Sequence, residues 1–397
     1  MNKLSLDDLD LKQRKVLVRV DFNVPIENGK ITDDTRIYAS LPTIKKILSE
    51  NSKAILISHL GRPKGKSPEF SLKPVAQRLS QILGREVKFA SDCIGPEVEK
   101  AVAEMKFGEA ILLENLRFYP EEEKNDPGFG QKLASLAELF VNDAFGTAHR
   151  AHASTVGVTQ HFGQNAAGYL MQKEIHYLSL ILFNPKKPFL AILGGAKVSD
   201  KISVIENLIS GENVNVDCFL IGGGMAFTFI QALGGEIGDS ILEKDKISTT
   251  NKIFELAKIK NIRILLPEDY AVEEENHNKS IHNSFKIPAG GRGLDIGPKT
   301  ISRFSAEINS AKTIFWNGPM GVFEQEEFAL GSIQMAQQLA YATSNGAVTV
   351  IGGGDTIAVV NKAKVRDQLT HISTGGGASL EFLEGKELPG IKALSDK

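Results

Sequence analysis

Short apolar runs that end in polar residues or glycines recur along this chain with helical patterns between them, and that alternation constrains the fold more than any other feature. In the first half the runs cover residues 16–21, 54–59, 111–115 and 139–143. Between two of them Leu72, Val75, Ala76, Leu79, Ile82 and Leu83 recur at helical spacing, with Ser71 placed to cap that helix and Gly84 to stop it. Strand and helix in alternation predict parallel βαβ units.

The second half repeats the pattern with glycine endings: residues 188–193 run into Gly194 and Gly195, 218–221 into Gly222, Gly223 and Gly224, and 348–351 into Gly352, Gly353 and Gly354. Between the halves Ala167, Leu170, Met171, Leu178, Ile181 and Leu182 predict one long helix, which Asn184 and Pro185 terminate because a residue before proline avoids the α region. The domain boundary is expected there. A chain of 397 residues exceeds what one hydrophobic core supports, so two α/β domains are expected.

Composition narrows the function classes. Lys and Arg number 46 against 48 Asp and Glu, so no global field draws the chain to nucleic acid or to anionic lipid. Two cysteines without metal-ligand spacing fit a reducing compartment. No run is long enough to cross a bilayer and no apolar leader opens the sequence, so a cytoplasmic location is expected.

Parallel sheets bind ligands beyond the carboxyl ends of their strands, which predicts one site per half. In the first half Arg36, His59, Arg62, Arg117, His149, Arg150 and His152 stand at or beyond strand ends, with Asp21 and Asn23 closing the first strand. Each arginine alone reads as a solvated surface residue. Together they suit a small ligand carrying several negative charges, since the planar guanidinium donates paired hydrogen bonds to carboxylate and phosphate. His149 and His152 lack a nearby third ligand for zinc.

In the second half the glycine clusters, including residues 375–377, can turn backbone N–H groups toward phosphate. A helix expected to begin near Asp355 and Thr356 would aim its positive dipole end at such a group, and Asp355 could hold Mg²⁺. Lys197 and Lys201, four apart at the start of a helix marked by Ile202, Ile205, Leu208 and Ile209, are expected to point the same way. Neither GxxxxGK[ST] nor GxGxxG occurs, so the nucleotide reading rests on the combination and a nicotinamide dehydrogenase lacks its fingerprint.

Eight segments in order resemble phosphoglycerate kinases: residues 18–25 (VRVDFNVP), 58–63 (SHLGRP), 113–118 (LENLRF), 142–152 (NDAFGTAHRAH), 194–201 (GGAKVSDK), 316–324 (WNGPMGVFE), 352–356 (GGGDT) and 373–378 (STGGGA). The resemblance implies two Rossmann-like domains, each a parallel sheet flanked by helices, joined by a helical hinge. Residues 1–170 with 388–397 would bind 3-phosphoglycerate or 1,3-bisphosphoglycerate, 171–184 would form the hinge, and 185–387 would bind ADP or ATP with Mg²⁺.

Carried over by motif, Asp21, Asn23, Arg36, His59, Arg62, Arg117 and Arg150 would hold the acid. Lys201, Gly223, Gly293, Asn317, Glu324, Gly353, Gly354, Asp355 and Thr356 would hold nucleotide, with Glu324 on the ribose and Asp355 on the metal. Arg36, Lys197, Lys201 and Gly376 would neutralise the transferring phosphoryl group. The family also implies a monomer. One departure is that residues 290–293 read GGRG where many relatives have GWMG. A catalytically silent nucleotide-binding module built on the same fold is the rival from another class.

Overall fold

The computed structural model describes residues 2–211 and 216–397. The chain divides into two compact units, Met1–His176 with Glu387–Lys397, and Tyr177–Lys386.

In the first unit six strands, Lys15–Arg19 (β1), Lys53–Ile57 (β2), Val87–Phe89 (β3), Ala110–Leu112 (β4), Leu139–Asn142 (β5) and Asn165–Ala167 (β6), form a sheet in the order β3-β4-β2-β1-β5-β6. All its pairings are parallel. Both faces are covered, as a parallel sheet requires. Val16, Val18 and Leu56 pack with Ile37, Ile44 and Ile47 on one side, while Leu17, Ile55, Ile111 and Phe140 pack with Val98, Val102 and Phe129 on the other.

Helices Thr35–Ser49 (α1) and Lys73–Leu83 (α2) supply the first of those layers. Gly84 ends α2 in the left-handed region, at φ 65°. Ser71 acts at the start as expected, its hydroxyl accepting from Lys73 N at 3.2 Å, and a second group joins it. Glu114, not Ser71, accepts the hydrogen bond of Leu72 N at 2.8 Å, and the Ser71 hydroxyl donates to the other oxygen of Glu114 at 2.6 Å. A buried carboxylate from a neighbouring strand end thus shares this helix start with Ser71, which local spacing does not reveal.

The long helix runs Tyr169–Phe183 (α3) and ends just before Asn184 and Pro185. Ala167, expected on it, belongs to β6 instead. The division between the units falls inside α3. Its first turn is held by Asp143, whose Oδ1 accepts from Leu170 N at 2.9 Å and Met171 N at 3.2 Å. Burial pushes the Asp143 carboxyl up to about 7, against the pull of Thr43 and the two amides.

An unfolded chain ionises such a carboxyl near pH 4, so between about pH 4 and 7 the folded state binds the extra proton and stability falls as pH rises. Asp143→Asn should remove that part of the slope. Urea midpoints of both proteins at pH 5 and pH 8 check it: equal slopes would show that Asp143 does not titrate in this range.

In the second unit Phe189–Leu193 (β7), Cys218–Ile221 (β8), Arg263–Leu265 (β9), Thr313–Asn317 (β10), Val348–Gly352 (β11) and His371–Ile372 (β12) form a second six-stranded parallel sheet, ordered β9-β8-β7-β10-β11-β12. This is the doubly wound order, in which strand succession reverses at β7. Helices Ile202–Ser210 (α4) and Gly354–Lys362 (α5) follow β7 and β11, and an antiparallel sheet of Asp269–Glu273, Lys279–Asn283 and Arg292–Ile296 is added to the unit. Among the described residues no helix is long and apolar enough to cross a membrane.

Candidate active site

Because β1, β2, β4 and β5 are parallel, their carboxyl ends share one edge of the first sheet, and the loops leaving them carry the expected cations. Asp21, just past β1, accepts from Arg36 NH1 at 2.6 Å. Arg36 stands on the first turn of α1. Asn23 Oδ1 accepts from Gly61 N at 2.9 Å, which ties the loop after β1 to the loop after β2.

Arg117 donates to Gly61 O at 2.7 Å and pairs through Nε with Glu123 at 3.2 Å. Asn115, buried, accepts from Leu60 N and Arg117 N and donates to Leu60 O and Phe70 O, so one amide fixes two of these loops. Arg150 Nε is 3.1 Å from His149 Nε2, and Arg62 is exposed on the loop after β2.

The cluster is visible in its electrostatics. Burial, then the charges of Arg19, Arg117 and Arg36, hold His59 well below the usual histidine range. Burial, with Arg19, Arg117 and Arg150, pulls His152 down to about 4. Both rings are neutral at pH 7, where the arginines keep their charge. Among the described residues no group of three or more histidine, cysteine or acidic side chains could hold a metal.

In the second unit a cavity of about 500 Å³ opens past the carboxyl ends of β7, β8 and β10, lined in part by Gly195, Gly223, Gly293, Glu324 and Asp355. Part of its wall is glycine backbone in close contact. A Cβ on Gly223 would lie 2.6 Å from Gly195 N and 2.8 Å from Pro319 O, and Gly223 sits at φ 63°. Tyr270 reaches across to donate to Gly223 O at 3.3 Å. At the end of β10, Trp316 Nε1 donates to Gly318 O, and Gly318 N donates to the buried Thr356 hydroxyl at 2.7 Å, which pins the following loop to α5.

Gly353 and Gly354 open α5, Asp355 is exposed in its first turn, and the side chain of Asn317 is buried against Gly352 and Gly353. Lys201 is half-buried at the start of α4. Burial lowers its pKa, partly offset by Asp200 and Asp355. Gly376, at φ 53°, directly precedes the short helix Gly377–Leu383. The helical spacing expected of Lys197 and Lys201 does not occur. α4 begins at Ile202, so Lys197 lies in the irregular segment after Gly195, where no helical turn relates it to Lys201.

The residues expected for the acid all fall in the first unit, and those expected for the nucleotide all fall in the second. Several structural partners escaped sequence reasoning. Asn115 and Arg19 lie in segments that were singled out without receiving a role, and Arg19 was legible as a charge inside an apolar run. Tyr270 reaches the cavity from a distant segment, which no spacing signals, and Met320 lies in the quoted segment 316–324 without having received a role.

The family model for phosphoglycerate kinase matches residues 6–386. The chain belongs to the phosphoglycerate kinase family. It is 55% identical to the cytosolic phosphoglycerate kinase of Triticum aestivum over 396 residues, covering 99% of this chain and 98% of that one. It is 56% identical to the phosphoglycerate kinase of Dictyoglomus turgidum over 397 residues, with 99% and 98% covered. The solved phosphoglycerate kinase of Coxiella burnetii superposes with a TM-score of 0.89 at 41% identity, covering 98% of both chains. The chain is thus a two-domain α/β kinase, a transferase of glycolysis, as the resemblance read from its motifs implied.

Proposed function

We propose that this phosphoglycerate kinase moves a phosphoryl group reversibly between 1,3-bisphosphoglycerate and MgADP, holding the acid at the cation cluster of the first unit and the nucleotide in the glycine-walled cavity of the second. The supporting observation is that two anion-binding arrangements of different chemistry each occupy the carboxyl-end edge of their own parallel sheet. The Rossmann-like topology of the second unit and its strand reversal at β7 fit a nucleotide there.

In the ATP-consuming direction the nucleophile is the carboxylate of 3-phosphoglycerate, ionised at pH 7, so no general base is needed. What the reaction needs is charge neutralisation and alignment. Arg36, Lys197, Lys201 and the Gly376 backbone would meet the transferring group. The Gly375 amide already donates to Ser373 Oγ, so the amides left for this role are those that follow it.

Asp355 offers one exposed carboxylate beside the cavity, a fit for Mg²⁺, which takes few protein ligands and completes its shell with phosphate oxygens and water. Bound there, the ion would neutralise phosphate charge. Glu324 lines the same cavity, as a group for the ribose hydroxyls would. Because acid and nucleotide are bound by separate units in this reading, transfer requires motion that brings them together, and we assign that motion to α3, acting in a cytoplasmic monomer.

The test follows ATP-dependent NADH oxidation through glyceraldehyde-3-phosphate dehydrogenase with 3-phosphoglycerate supplied. Oxidation that needs both substrates and stops with a magnesium chelator is expected; none would leave a silent binding module. Gly223→Ala should weaken ADP binding about tenfold, since it adds a Cβ against backbone at a left-handed position. Calorimetric titration with ADP measures this, and unchanged affinity would take the Gly223 loop out of the nucleotide site.

A further inference from the structure

Arg19 closes β1 with its side chain fully buried, and nothing in the chemistry above uses it. Its guanidinium is held on every side. Nε donates to Ser154 Oγ at 2.8 Å, NH1 donates to Val20 O, and NH2 meets His59 Nδ1 at 3.2 Å. Behind it Glu122, also fully buried, accepts from Ser154 N at 2.9 Å and from the Ser154 hydroxyl, and the charge of Arg19 acts on Glu122 directly. The chain of contacts runs from Glu122 through Ser154 and Arg19 to His59.

A guanidinium carries N–H donors and no acceptor. The Nδ1 of His59 must therefore accept, and it bears no proton. In the neutral ring the hydrogen is left on Nε2. We propose that Arg19 is a positioning residue that fixes His59 as the neutral Nε2–H tautomer, so that the ring presents a permanent hydrogen-bond donor to an oxygen of the bound phosphoglycerate. This rests on the reading of His59 as a contact to the acid. A ring free to titrate would switch between donor, acceptor and cation across the physiological range, and acid affinity would follow pH.

The surroundings work in the same direction. Arg36, Arg117 and His152 act on His59 together with Arg19, all disfavouring its protonation. The nearby carboxylates are engaged elsewhere: Asp21 with Arg36, and Glu122 with Ser154. Arg19 thus supplies two effects at once, a donor that dictates the tautomer and a charge that keeps the second proton off.

Nitrogen-15 correlation spectra of the unliganded, histidine-labelled enzyme read the tautomer without any activity. The expected spectrum shows a protonated Nε2 and a bare Nδ1 for His59 from about pH 5.5 to 8. A proton on Nδ1, or an ordinary titration near pH 6.5, overturns the proposal. Adding 3-phosphoglycerate should then shift the Nε2 signal; that result reports on the acid site and leaves the tautomer result standing, so the two readings fail separately.

Arg19→Gln combined with Glu122→Gln removes both buried charges together, so neither is left uncompensated. In that variant the ring should mix its two neutral tautomers, since burial, Arg36 and Arg117 still keep the second proton off. The ratio of variant to wild-type KM for 3-phosphoglycerate should then be about threefold at each pH from 5.5 to 8, because part of the population offers the anion a lone pair instead of an N–H donor. Taking the ratio cancels the titration of the ligand phosphate. A folded variant whose His59 keeps the Nε2–H form throughout would show that Arg19 does not fix it.

Discussion

Arg36→Ala should lower turnover about a hundredfold or more, corresponding to about 3 kcal/mol of lost transition-state stabilisation. Arg36 is held for use: its NH1 is 2.6 Å from Asp21 Oδ2, and its side chain keeps 33% of its surface exposed at the strand-end edge while Asp21 keeps 8%. The same contact predicts a structural cost. Removing Arg36 leaves the Asp21 carboxylate short of its main partner, which should cost about 2 kcal/mol of stability. The double variant with Asp21→Asn separates the two effects, because it restores stability without restoring the cation. Steady-state kinetics beside thermal unfolding decide the matter: turnover that recovers in the double variant would take Arg36 out of the chemistry.

Lys201→Ala should cause a loss of similar size, again about a hundredfold in turnover, with the fold intact. Lys201 precedes α4, so no helical hydrogen bond depends on its side chain, and burial rather than pairing dominates its environment. A half-buried ammonium near Asp355 acts in a medium that screens it less than water does, which is why its removal costs more than a surface lysine would. Substrate saturation curves give the discriminating readout. A rise in the KM for ADP with unchanged turnover would make Lys201 a ground-state contact only. Lys197, off any helix, should be the more tolerant of the two lysines.

How much of this was legible follows from what determines each feature. The strands were, because a buried parallel strand must be continuously apolar and must stop where the chain meets solvent or ligand: β5, β7 and β8 lie within the apolar runs, and β1, β2 and β11 overrun theirs by one residue. The arginines and glycines past those ends were legible for the same reason. Contacts made by long-range packing were not. Glu114 caps α2 from 42 residues away, and no local pattern distinguishes it from a surface acid. The Lys197 reading failed because the periodicity of Ile202, Ile205, Leu208 and Ile209 marks the helix interior and says little about where its first turn begins. Tyr270 enters the cavity wall from a strand of the antiparallel addition, an element the alternating pattern did not suggest at all.

The last stretch of chain, Glu387–Lys397, belongs to the first unit. It buries Leu388, Ile391 and Leu394 there, and Leu4 N donates to Ser395 O at 2.8 Å, Ser395 N to Asn165 O at 2.9 Å and Gly390 N to Ala148 O at 2.8 Å. On the ribosome, then, the half of the molecule made first is the half finished last. Its opening strands emerge early, yet three of its buried side chains and the partners of those backbone groups arrive only after the whole second unit has been translated, so the order of synthesis and the order of completion run opposite ways.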